Sequence, residues 1–271
     1  MNTHPATAGV AALSIAGSDS GGAAGIQADL LTFAACGVHG TTAITALTAQ
    51  NPEGIAAILP VTPEFLRAQL EQIARYYPVR AVKTGMLANA ALAEVVAYFL
   101  DAQPDWPVVV DPVLVATSGA ALLEAAGVEV LTRRLFPRAA LLTPNLDEAA
   151  ALLGERPAPE PAAQERAALE LARRFNVPVL LKGGHAGLEE VTDVLAGPEG
   201  VRERLTSQRV QGVDTHGGGC TLAAAIAAYL ARGADLTAAV RRAHAALQRA
   251  LAHPLDLAGK KFLNHGAMAE R

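Results

Sequence analysis

The chain has 271 residues, 51% hydrophobic and 18% charged, with a formal net charge of −4 and a pI near 6.0. This composition supplies a large core and excludes global disorder; with no basic excess for a nucleic-acid backbone and only 4% aromatic residues for base stacking, a small molecule is the expected partner. Two cysteines with neither disulfide nor metal-ligand spacing point to the cytoplasm, residues 1–10 read as a flexible tail without signal-peptide character, and no apolar stretch of about 18 residues suggests a membrane span.

Taken in chain order, Ala11–Ala16 reads as a buried strand and Ile26–Cys36 as a helix stopped by Gly37. Thr41–Thr48 is a β-branched, apolar strand, Pro63–Tyr77 has helical spacing, Ala81–Lys83 is a short strand and Ala88–Leu100 a helix. The run from Pro107 to Asp111 is a buried strand ending in a carboxylate, and Ala121–Phe136 is expected to be helical. Leu141–Thr143 is a strand, Leu146–Leu153 a helix, Arg156–Pro161 a loop, Ala162–Phe175 a helix and Pro178–Leu181 a strand. Val191–Leu195 and Arg204–Arg209 form a later strand pair, and the helices Thr221–Arg232 and Leu236–Ala252 close the chain. Short apolar strands alternating with helices predict one α/β domain, a mostly parallel sheet covered on both faces, with its active site at the carboxyl ends of the strands.

The segments at those strand ends carry the chemistry. Asp214-Thr215-His216-Gly217-Gly218-Gly219-Cys220 feeds an alanine-rich helix. A glycine turn into a helix start aims free N–H groups and the positive dipole end at one point, making an anion cradle, and a thiol planted there is expected to shift toward thiolate. The combination suits phosphoryl transfer to an alcohol. The loop from Gly17 to Asp29 is neither a Walker loop nor a dinucleotide fingerprint; it reads either as a backbone ligand site or as a turn, with Asp29 as a solvated first-turn acid in the plainer view. Gln50, beside Asn51-Pro52, is a turn residue or a donor–acceptor pair for a nitrogen heterocycle.

Only four cationic residues are lysine: Lys83, Lys182, Lys260 and Lys261. Lys83 and Lys182 each end a strand, where a compact charge is useful. Asn145 and Glu148 open a helix three residues apart, either to hold a hydrated Mg²⁺ beside triphosphate oxygens or to cap the helix, and Asp111 either adds a carboxylate to the cation or ends a strand. Cys36 reads as a small buried hydrophobe.

Taken together, these stretches resemble the hydroxymethylpyrimidine/phosphomethylpyrimidine kinases of thiamine biosynthesis, in the ribokinase-like superfamily. The carrying segments are Ile15–Ser20, Gly25–Asp29, Ala46–Asn51, Lys83–Leu87, Asp111–Val113 with Ala116–Gly119, Thr143–Leu146, Leu181–His185 and Asp214–Leu222. The resemblance implies ATP and Mg²⁺, phosphorylation of the pyrimidine alcohol and then of its monophosphate, and a homodimer. It implies that Gln50 reads the pyrimidine edge, with Asp29, Gly17, Met86 and Val113 completing the pocket. Lys182 would contact phosphate, Glu148 and Asn145 with Asp111 would attend Mg²⁺, Cys220 would be the base, and Gly217, Gly218 and Gly219 the anion hole. Gly218 departs from a threonine common in the family. Pyridoxal kinase on the same fold is the alternative; a thiol hydrolase pairing Cys220 with His216, or a non-catalytic binding module, are the rivals from other classes.

Overall fold

Five parallel strand pairings build the centre of one nine-stranded sheet. The computed structural model describes residues 9–51, 53–114 and 122–269. The strands are β1 (Ala11–Asp19), β2 (His39–Asn51), β3 (Gly54–Pro60), β4 (Val79–Thr84), β5 (Val108–Val110), β6 (Leu141–Leu142), β7 (Val179–Leu181), β8 (Glu190–Gly197) and β9 (Gly200–Gln208). Their spatial order is β3-β2-β1-β4-β5-β6-β7-β8-β9, with β3, β8 and β9 running antiparallel to their neighbours. A two-stranded hairpin, β10 (Leu255–Leu257) with β11 (Lys260–Phe262), stands apart.

Side chains alternate across the pleat. Leu13, Ile15, Val82, Val108, Val110, Leu142 and Leu181 face one core, against α2 (Pro63–Tyr76), α3 (Ala90–Asp101), α5 (Leu146–Leu153) and α6 (Pro161–Phe175). Ala12, Ala81, Val109, Leu141 and Leu180 face the other, against α1 (Gly25–Ala35), α7 (Gly218–Ala231) and α8 (Leu236–Ala252). Helix α7 is buried on every side from Thr221 to Tyr229, so its alanines let it lie close to both the sheet and α8. Cys36 is buried in this second core, as its apolar neighbours suggest.

The parallel centre agrees with the expected α/β layering, but several elements differ. Gln50 lies inside β2, which runs on to Asn51 because β3 pairs with it; β3 and the β10–β11 hairpin were not anticipated, being short and without strong periodicity. The expected helix from residue 88 begins at Ala90, since Ala88 adopts φ 67° and Asn89 caps the helix through Leu92 N–H. The expected helix to Phe136 is three pieces: α4 (Ala125–Val130), a π turn at Leu131–Leu135 and a 3₁₀ turn at Phe136–Arg138 carrying Pro137. Ala116–Gly119, Ala121 and residues 1–8 of the tail lie outside the described residues. Among the described residues no helix is long and apolar enough to cross a membrane.

Candidate active site

The candidate residues gather at the carboxyl ends of the parallel strands, and pleat alternation explains why. Ser14, Lys83, Asp111, Thr143 and Lys182 each stand two residues beyond Ala12, Ala81, Val109, Leu141 and Leu180, which face α1, α7 and α8. The same face that is apolar in mid-sheet turns polar at its edge, beneath the first turn of α7.

That first turn begins three residues earlier than expected. Gly217 is the N-cap at φ 82°, so Gly218, Gly219 and Cys220 are all helical. Gly218 N–H reaches Thr215 O at 2.9 Å, leaving the next amides without an acceptor inside the helix. Only glycine fits at 217: a Cβ there would lie 1.8 Å from the carbonyl oxygen of Ala23. The glycine run is therefore pressed against the loop after β1.

Asp19 organises that loop. Its buried carboxylate accepts from the amides of Gly21, Ala23 and Ala24 at 2.7, 3.0 and 2.8 Å, and His216 Nε2 stands 3.7 Å from Asp19 Oδ2. Sequence reasoning missed Asp19; the available signal was an aspartate heading a glycine-rich turn, the residue type that bonds the backbone ahead of it. His216 faces this aspartate across the seam between the two loops.

Two buried ion pairs flank Cys220. On one side Lys83 Nζ meets Asp29 Oδ1 and Oδ2 at 2.9 and 2.8 Å, and Ser14 Oγ donates to Asp29 Oδ2 at 2.5 Å; neither charged side chain has solvent exposure. Asp29 is thus neither a solvated helix acid nor part of an open pocket wall, but a buried anchor beneath it. Burial pushes the Lys83 ammonium down, and the charges of Asp29, Cys220 and Asp111 more than offset it, so the lysine stays charged.

On the other side Lys182 Nζ meets Asp111 Oδ1 at 2.7 Å, and Thr143 Oγ1 donates to the same oxygen at 2.8 Å. Burial pushes the Asp111 carboxyl up, but Lys182 and Lys83 pull it below its ordinary range. Lys182 remains partly exposed, and a Cβ on Gly219 would stand 3.1 Å from its Nζ, which places the ammonium against the glycine run. Asn145 and Glu148 form a capping box: Asn145 Oδ1 accepts from the amides of Asp147 and Glu148 at 2.8 and 2.9 Å, and Glu148 Oε2 accepts from Asn145 N–H at 2.8 Å. Burial, only partly countered by Lys182, pushes the Glu148 carboxyl up to about 8. The capping reading is thus realised, and the same carboxyl lies in the opposing fields of Lys182 and Asp111.

Cys220 is partly exposed between these pairs. Burial raises its thiol; Lys83 and a backbone hydrogen bond from Gly25 pull it down, while Asp29 and Asp111 push it up. The net shift is upward, which corrects the expectation of a thiol shifted toward thiolate: desolvation outweighs Lys83 and the Gly25 amide here. Gly17 is buried, with Met86 Cε 2.6 Å from where its Cβ would be, so Gly17, Met86 and β2 meet. Met86, Val113 and Gln50 are partly exposed, and the Gln50 backbone is bracketed by Ser20 Oγ, which donates to Gln50 O and accepts from Gln50 N–H at 2.8 Å each.

A family description, phosphomethylpyrimidine kinase, matches residues 19–265. A hydroxymethylpyrimidine/phosphomethylpyrimidine kinase of Haemophilus influenzae is 42% identical over 259 residues, covering 94% of this chain and 96% of that one. The Escherichia coli protein of the same name is 43% identical over 245 residues, covering 89% and 90%. Among solved structures, an ADP complex of Bacillus subtilis pyridoxal kinase superposes with a TM-score of 0.86 at 33% identity, covering 96% of this chain and 98% of that one. A phosphomethylpyrimidine kinase from Clostridium difficile gives a TM-score of 0.77 at 35% identity, covering 89% and 99%.

The contrast between neighbouring glycines is testable by thermal melting. Gly217→Ala introduces both an unfavourable positive φ and a collision with Ala23 O, and should lower stability by more than the roughly 1 kcal/mol usual for a residue held in that backbone region. Gly218→Ala meets only Leu263 Cδ1 at 3.9 Å and should melt close to the parent. Equal melting temperatures for the two variants would contradict the close approach of the loops.

Proposed function

Because the chain belongs to the phosphomethylpyrimidine kinase family, we propose that it uses ATP to phosphorylate the hydroxymethyl aminopyrimidine of thiamine biosynthesis, and then phosphorylates the resulting monophosphate, acting as one cytoplasmic kinase domain. The observation that carries this reading is the glycine-lined start of α7, with Cys220 in its first turn and Lys182 Nζ against Gly219. A cradle of amides with one ammonium suits a phosphoryl group accumulating charge, and the partly exposed Cys220 beside it, once ionised, can take the acceptor's proton.

In the first step the alcohol oxygen attacks the γ-phosphorus. The new O–P bond forms as the bond from that phosphorus to its bridging oxygen breaks, leaving ADP. The hydroxyl proton passes to the Cys220 thiolate and later to solvent. Lys182 and the amides of the glycine run hold the charge of the transferred group. In the second step the acceptor is a phosphate monoester, mostly ionised near neutral pH because its second pKa is about 6, so it needs no base.

Gln50 is the residue proposed to read the pyrimidine edge, between the loop after β1 and β3, with Gly17, Met86 and Val113 forming the apolar wall and Asp29 supporting it from below. The buried acids Asp111 and Glu148, with Asn145, would attend a hydrated Mg²⁺ as hard oxygen donors; burial holds the Glu148 carboxyl up to about 8, so it would give up its proton as the cation enters. When bound, Mg²⁺ supplies charge neutralisation on the triphosphate oxygens.

Cys220→Ala should slow phosphorylation of the alcohol by about 10²–10⁴, the usual worth of a positioned base, and of the monophosphate by much less. Because burial raises this thiol, the parent's alcohol rate should climb as pH rises toward and beyond the ordinary thiol range. Separate initial rates of ADP release from the two acceptors decide it; equal losses would make Cys220 part of the anion hole instead of the base. Pyridoxal belongs in the same assay, since pyridoxal kinases share the fold at a TM-score of 0.86; release with pyridoxal alone would transfer the assignment to that alternative.

Gln50→Ala should raise KM for the pyrimidine alcohol by about one to two decades, the cost of leaving buried ring groups unpaired, while ATP affinity stays near the parent's. An unchanged alcohol KM would remove Gln50 from the pocket.

A homodimer is proposed as well. Edge strand β3, Gly54–Pro60, is exposed at all seven positions and carries no charged residue; Ile58 and Leu59 are 42% and 66% exposed, with Leu47 of β2 at 47% beside them. An uncharged apolar edge invites pairing, and a second copy brings the same edge to it. Leu59→Glu should convert a dimer to a monomer in sedimentation velocity; a monomeric parent would overturn the proposal.

A further inference from the structure

Lys83 takes no part in the reaction as drawn, yet it is among the largest fully buried side chains in the protein. A lone buried ammonium is costly, and even a paired one is seldom a net source of stability. Its surroundings give it a role. Ser14 on β1 and Lys83 on β4 are direct cross-strand neighbours, and both reach up to Asp29 on α1. Asp29 lies four residues, about one turn, after Gly25, the first residue of α1. Gly25 in turn gives its backbone hydrogen bond to Cys220 on α7, and it stands at φ 57° with Gly17 O only 2.4 Å from where a Cβ would be. Two strands, the opening turn of α1 and the opening turn of α7 are thereby tied through one carboxylate.

Resting on the reading of Cys220 as the base, we propose that Lys83 is a positioning residue for that cysteine: anchored on Asp29 and Ser14, it fixes the first turn of α1 against the sulfur and supplies the positive charge that steadies the thiolate when the alcohol surrenders its proton. The charged groups that face Cys220 are Lys83 from β4, Asp29 from α1, Asp111 after β5 and Lys182 after β7. Of these, Lys83 exerts the largest favourable effect on the thiolate, ahead of the opposing effects of Asp29 and Asp111.

The test is the pH dependence of iodoacetamide alkylation, mapped to Cys220 by mass so that buried Cys36 does not contribute. Lys83→Met with Asp29→Asn removes the pair without stranding a buried charge and leaves Ser14 an acceptor. The alkylation inflection should move to higher pH by about one unit, equivalent to about a tenfold slower reaction near neutrality, and the ratio of alcohol to monophosphate phosphorylation should fall by a similar factor. Lys83→Met alone also strands no charge, because burial already raises the Asp29 carboxyl, which takes up a proton once the ammonium is gone; its inflection should likewise move to higher pH. This second variant keeps the test decisive if the double variant does not fold. An inflection unmoved, or moved to lower pH, in either folded variant overturns the proposal. Alkylation reads the thiol whether or not it is the base. Upward shifts accompanied by equal losses of both phosphorylation steps in Cys220→Ala would uphold the placement of Lys83 while removing the base reading.

Discussion

The carbonyl of Ala23 stands 1.8 Å from where any side chain on Gly217 would begin, and much of the site follows from that approach. It seats the glycine run on the loop after β1, which Asp19 shapes through three backbone amides. It sets α7 starting at Gly218, so that Cys220 falls in the first turn with unpaired amides beside it. Gly25 repeats the arrangement on the other side of the loop, close over Gly17 O. Two helix starts, α1 and α7, converge on one sulfur because two glycines allow backbone to pack on backbone.

Charge is handled in the same small volume by pairing. Lys83 with Asp29 and Lys182 with Asp111 gather two ammonium groups and two carboxylates at the strand ends, Asp29 reaching in from α1. The two pairs differ in exposure, and the difference suits different work. The Lys83–Asp29 pair is sealed and acts through what it holds in place and through its charge at Cys220, whereas Lys182 keeps a face toward solvent and the glycine run. Glu148 differs from both pairs: burial holds its carboxyl up to about 8, so it carries a proton near neutrality. The amides of the glycine run with the Lys182 ammonium are the positive feature of the site, and they suit the polyanionic substrate proposed for it.

Much of this was legible in the sequence. The alternation of short apolar strands with helices predicts the parallel sheet, and location at strand ends picks out Asp111, Lys182, Asn145 and Glu148. What stayed hidden has identifiable causes. Strand β3 has no burial pattern, being exposed along its length, so it left no periodicity to read. Asn145 and Glu148 carry a capping signature and a cation-site signature at the same spacing, and the capping box is observed. Asp29 looked like a helix-surface acid because its partners, Ser14 and Lys83, are 15 and 54 residues away in the chain.

By itself the sequence determined the α/β architecture, the glycine turn before the alanine-rich helix, and the residue types gathered at the strand ends, since all of these are set by local periodicity, backbone freedom and spacing. Only the tertiary structure decided which charges pair, how deeply each is buried, and that desolvation raises the Cys220 thiol against the pull of Lys83 and of the Gly25 amide. Those outcomes depend on the balance between burial and neighbouring charge, and that balance is fixed by distances between elements that no local stretch of the chain encodes.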